Sequence, residues 1–144
     1  MIDTESKIKL YLITFIVDFY IIIVLSFFKL NTYDIFWCIS LLFIHFLFYI
    51  SLFYNFKNII NILHLSVFIF PTIAIFSSHF SIKLLSLLFL LLIQILWIKE
   101  KRCILNELDD KFGYSQELSI YVLFLTSIIS IMVGNSINNN FEIQ

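Results

Sequence analysis

Charge, glycine, proline, alanine and cysteine are all scarce in this sequence, and each shortage closes off something. Only 13% of the 144 residues are charged, against about 25% in a soluble domain, which leaves too little polar surface to cover a water-exposed core. Hydrophobic residues make up 61% of the chain, and the mean hydropathy is +1.01. This is the composition of a polytopic membrane protein. A net charge of −1 argues against nucleic acid as a partner, because phosphate neutralisation needs clustered Lys and Arg. Two glycines, Gly113 and Gly134, cannot make a glycine-rich phosphate loop. The two cysteines, Cys38 and Cys103, form no Cys-x-x-Cys motif, which argues against thiol-redox chemistry.

What is abundant points to an AT-rich genome. The chain has 28 Ile, 18 Phe and 9 Asn, but one Ala (Ala74), one Arg (Arg102) and one Pro (Pro71). A large DNA virus, an organelle, an endosymbiont or a protist fits such codon usage. Part of the phenylalanine excess is therefore genomic in origin, not functional.

A hydrocarbon core about 30 Å thick takes about 17–25 apolar residues per helix. Five runs meet that length, at 8–28, 35–54, 59–76, 82–98 and 117–134. They predict an all-α, polytopic transmembrane bundle forming a single integral membrane domain over 1–144. The third run is the most polar, with Asn61, His64 and Pro71. Proline is tolerated there where neighbouring helices satisfy the carbonyl it frees.

Five spans place the N-terminus and the 55–58 and 99–116 connections on one side. That side holds Lys7, Lys9, Lys57, Lys99, Lys101, Arg102 and Lys111, while the other holds only Lys29 and Lys83. The positive-inside bias then gives a cytoplasmic N-terminus and 99–116 loop, with the C-terminus outside. Tyr11, Tyr33, Trp37, Tyr54, Trp97, Tyr114 and Tyr121 fall near span ends, where amphipathic rings favour the headgroup region. The first span lacks a small-residue cleavage site and is expected to stay in place.

Ionisable groups inside a membrane are costly and mark candidate sites. Asp18 lies about 15 Å and His45 about 13.5 Å from the inner ends of their spans, at 1.5 Å per residue. Adjacent antiparallel helices thus bring acid and imidazole to matching depth, and the two are expected to pair. The pair is either a polar clamp fixing helix register, worth roughly 1 kcal/mol, or a proton or cation relay. His64 and Gln94, about 7.5 and 6 Å deep, form a second polar level. A relay asks for more acids and bases than these, which favours the clamp.

Transmembrane histidines also serve haem as axial ligands. His45 and His64 differ in depth by about 6 Å, a little more than one turn, so haem coordination within one chain needs a shifted or tilted helix. No metal-ligand cluster is visible. On the fifth span Thr126, Ser130 and Gly134 recur every four residues, a small-residue stripe that admits a neighbouring backbone. The other spans are apolar on all faces. They lack the polar stripe of a channel and the paired Gly/Pro breaks of a transporter.

The 99–116 segment reads as an amphipathic helix at the inner interface, with Ile104, Leu105, Leu108 and Phe112 mostly on one face. Glu107, Asp109 and Asp110 tempt a Mg²⁺ hypothesis, but no second acidic motif completes a site. A solvated helix face accounts for them more simply. Within this segment, Cys103-Ile104-Leu105-Asn106-Glu107-Leu108-Asp109, with Trp97 upstream, resembles the Cys-Pro-Leu-Thr-x-Leu-Glu signature of an uncharacterised family of small bacterial multi-span membrane proteins. Similar segments occur in membrane proteins of large DNA viruses. Ile104, Asn106 and Asp109 depart from the Pro, Thr and Glu of the signature, and the likeness covers residues 97–114. It implies a multi-span fold with a structured inner loop, in which Trp97, Cys103, Asn106 and Asp109 are candidate interaction residues. It implies no chemistry.

No catalytic constellation is present. The sequence predicts a structural or assembly component of a membrane complex or viral membrane, surrounded by lipid and by helices of other membrane proteins. The alternative is a bioenergetic or transport subunit that uses Asp18 and His45.

Overall fold

The computed structural model describes residues 4–100 together with Tyr121, Phe124, Leu125, Ile128, Ile129 and Met132; for Asn61 and residues 97–100 it describes the backbone alone. Five helices follow in order: α1 (Thr4–Phe27), α2 (Thr32–Tyr54), α3 (Lys57–His64), α4 (Ser66–Ala74) and α5 (Phe80–Glu100). There is no β-strand among the described residues. Three stretches, Thr4–Phe27, Thr32–Tyr54 and Lys57–Ala74, are long and apolar enough to cross a membrane, and Phe80–Leu96 is a shorter apolar helix. The expected fifth span over 117–134 and the inner-loop helix over 99–116 lie outside the described residues, apart from the start of the latter in α5 and six helical positions between 121 and 132.

The ends of α2 show how the chain is punctuated. Asn31 is the N-cap, and its side-chain oxygen accepts from the Asp34 amide at 2.7 Å, one of the orphan donors of a first turn. At the other end Asn55 takes the left-handed conformation, φ 57°, which Asn tolerates better than most residues. The Phe56 amide then reaches back to the Ser51 carbonyl at 2.9 Å. Span two therefore starts at Thr32 and not at Ile35, and Asp34 belongs to its first turn, not to a connecting loop.

The expected third span is two helices, not one. Ser66 Oγ donates to the Leu63 carbonyl at 2.5 Å, the acceptor that the Val67 amide would use in a continuous α-helix. The Leu65 amide bonds to Ile62 three residues back, at 3.1 Å, so the chain tightens between α3 and α4. Pro71 inside α4 removes one more amide from the ladder.

Two apolar clusters hold the helices together. Val17, Ile21 and Val24 of α1 pack with Trp37, Cys38 and Leu41 of α2, Phe70 and Ala74 of α4, and Ile82 and Leu85 of α5. Leu10, Phe48, Leu52 and Ile60 form the second, at the other end of α1 and α2. Trp37 Nε1 donates to the Phe70 carbonyl at 3.2 Å, and Tyr33 Oη to that of Ile73 at 2.8 Å, tying α2 to α4. Buried positions on α1 recur every three or four residues: Leu10, Thr14, Val17, Ile21 and Val24. The opposite face is equally apolar, with Phe15 63% and Phe19 59% exposed. A water-soluble protein does not leave such faces bare.

Candidate functional site

The polar pair borders the first apolar cluster. On α1 Asp18 falls between Val17 and Ile21, both in that cluster, and on α2 His45 falls between Leu41 of the first cluster and Phe48 of the second. His45 Nδ1 meets Asp18 Oδ1 at 2.5 Å, with both side chains largely shielded. The second carboxylate oxygen is taken as well: Tyr49 Oη donates to Asp18 Oδ2 at 2.9 Å. Both carboxylate oxygens thus have α2 partners, spaced one helical turn apart. Tyr49 is fixed in turn by Tyr11, whose ring stacks on it with centroids 5.8 Å apart and planes 6° from parallel.

Reading from the sequence did not place Tyr49 in this group. The available signal was its i+4 spacing from His45, which puts both on one face of a helix.

His45 also lines a partly open pocket of about 110 Å³ at the centre of the bundle. Trp37, Phe48, Phe70 and Phe89 contribute to its walls, with His64 and Ser86 among the few polar lining residues. His64 lies near Phe68, ring centroids 6.1 Å apart. Gln94 does not line the pocket, and its Nε2 is buried without a hydrogen-bond partner among the described residues. His45 and His64 thus share a cavity, but its volume is well below the roughly 300–1,000 Å³ of ordinary ligand pockets. No group of three or more His, Cys, Asp or Glu positioned for a metal occurs among the described residues.

A second carboxylate site surrounds Asp34, which hydropathy alone places in a loop. Asp34 is fully buried, where it accepts from Ser77 Oγ at 2.6 Å and Ser78 Oγ at 3.1 Å. Asn31 Nδ2 donates to Ser78 Oγ at 2.7 Å. The turn between α4 and α5 is thereby fastened to the start of α2. His79, in the same turn, accepts from the Ser81 amide through Nδ1 at 3.2 Å, capping α5. Burial pushes the His79 pKa below its usual 6.5, against the pull of the Asp34 charge. The signal for Asp34 was the Asn31-x-x-Asp34 spacing, a cap with an acid in the first turn.

The stripe of Thr126, Ser130 and Gly134 and the motif residues Cys103, Asn106 and Asp109 lie outside the described residues, as does the side chain of Trp97. Cys38 is buried in the first apolar cluster. Comparison with protein-family models, curated proteins and solved structures finds no match to this chain.

Proposed function

We propose that the chain is a five-span integral membrane protein, N-terminus inside and C-terminus outside, that serves as a structural or assembly component of a membrane complex or viral membrane and has no catalytic centre of its own. One observation carries this reading. Asp18, His45 and Tyr49 of the paired helices are spent on one another, while large apolar side chains such as Phe36 (71% exposed) and Phe53 (72% exposed) face outward. Asp18 is saturated by His45 and Tyr49, as a clamp between α1 and α2 requires. A relay needs a next acceptor, and the pocket beyond His45 is mainly apolar. Residues 97–114, with Trp97, Cys103, Asn106 and Asp109, are the proposed partner-binding segment on the inner side, and Thr126, Ser130 and Gly134 the proposed packing stripe.

Extraction from native membranes in mild detergent, with partners identified by mass spectrometry, tests the reading. Recovery with virion or scaffold proteins is the expected result, and recovery as a lone monomer overturns it. The second reading, a transport or bioenergetic subunit, draws on His45 both touching Asp18 and lining the central pocket. It requires Asp18→Asn to abolish proton flux in reconstituted liposomes while the protein still assembles.

A further inference from the structure

Ser86 of α5 is 3% exposed, lines the central pocket, and its Oγ has no hydrogen-bond partner among the described residues. A buried hydroxyl left unpaired costs free energy and calls for an explanation. It does not serve α5 either, whereas Thr14, Ser51 and Thr72 each return their hydroxyl to the carbonyl four residues back.

Two further helices each put on the pocket wall a residue with a polar atom to pair. His45 of α2 lines the pocket. With Nδ1 held against Asp18, Nε2 is the ring's remaining polar atom, and in the neutral ring it is an acceptor. Val67 of α4 lines the pocket too. In a regular helix its carbonyl would take the amide of residue 71, and Pro71 has none to give.

An occupant that satisfies these atoms has to be small and able both to donate and to accept. The pocket measures about 110 Å³, and a water molecule takes about 30 Å³ and makes about three hydrogen bonds when buried, so about three waters fit. They can accept from Ser86 Oγ while donating to His45 Nε2 and to the Val67 carbonyl. A lipid acyl chain would suit the aromatic walls but leave all three polar atoms unpaired, at a cost. We propose that this pocket binds a small internal water cluster anchored on Ser86, His45 and the Val67 carbonyl. Such waters tie α4 and α5 to the Asp18–His45 pair, whether that pair serves as clamp or relay.

Nuclear Overhauser contacts between water and methyl groups test this in the purified full chain, in bicelles of perdeuterated lipid. Leu41 and Leu85 are buried in the pocket wall, whereas Ile22 is 52% exposed on the outer side of α1. Water cross-peaks are expected at the Leu41 and Leu85 methyls and not at Ile22. Ser86→Ala removes one anchor with little change in volume and should weaken those cross-peaks at least twofold. In protonated lipid, acyl-chain cross-peaks should reach Ile22 alone of the three. Absence of water cross-peaks at both Leu41 and Leu85 overturns the proposal, whether or not acyl protons replace them. Cross-peaks that Ser86→Ala leaves unchanged overturn it as well.

Discussion

Tyr49 donates its phenolic hydroxyl to Asp18 Oδ2 at 2.9 Å, on the carboxylate oxygen that His45 leaves free. One acid of α1 is thereby gripped at two points by α2, and sliding or rotating either helix by a residue breaks both contacts. Within a membrane, where apolar contacts alone discriminate poorly between registers, such a grip is what specifies one.

Removing one of the two points should therefore cost stability without unfolding the protein. Tyr49→Phe is expected to destabilise by about 0.5–1.5 kcal/mol and Asp18→Asn by more, since it disturbs both partners. In a double-mutant cycle followed by reversible unfolding in bicelles, Tyr49→Phe and Asp18→Asn should couple by roughly 1 kcal/mol. Additive effects would mean that the bond contributes nothing.

Asp34 makes a larger demand. Its replacement by Ala strips the acceptor from the buried Ser77 as well as from the exposed Ser78, and about 1–3 kcal/mol should be lost. Glu5→Ala is the contrast. Glu5 also makes a short ionic contact, 2.8 Å to Lys9, but it is 80% exposed, and an exposed i,i+4 pair is worth about 0.5 kcal/mol or less. Thermal unfolding of the two variants side by side checks the ranking.

These sites differ in how far the sequence exposed them. The depth match of Asp18 and His45 could be read by counting, because α1 and α2 run unbroken around them and the helical rise is constant. Tyr49 carries no such signal, because an aromatic in a span serves equally as packing or as an interfacial anchor. Asp34 reads as loop because hydropathy trims a span at its first charge, whereas the cap at Asn31 starts the helix three residues earlier. The core-facing side of each helix was not legible at all. Lipid and core ask for the same apolar chemistry, and only shape separates Val17 and Ile21 inside from Phe15 and Phe19 outside.

The division of the third span into α3 and α4 was hidden for a related reason, since the apolar run continues through Leu65. Ser66 Oγ occupies the Leu63 carbonyl at the division. Ser66→Ala frees that carbonyl for the Val67 amide, and the two helices should merge. Hydrogen exchange in nanodiscs should show the Val67 amide protected at least tenfold more in the variant. Unchanged exchange would mean that the Ser66 hydroxyl does not cause the break.

His79 gives the fold a dependence on pH whose sign follows from its cap. Nδ1 accepts from the Ser81 amide, so only the neutral ring can cap α5, and a charged ring would also sit at the positive end of the helix dipole. Burial sets the folded pKa below the usual 6.5, and the Asp34 charge only partly offsets it. The unfolded chain therefore binds more protons than the folded one between the two values. Stability from this cap is fully present above about pH 6.5 and is lost as pH falls through the folded pKa. Exchange at the Ser81 amide should accelerate on acidification beyond the intrinsic trend. His79→Asn keeps an acceptor at the cap but cannot titrate, so it should hold Ser81 protected across the same range. If both proteins respond alike to acid, the pH dependence belongs to another group.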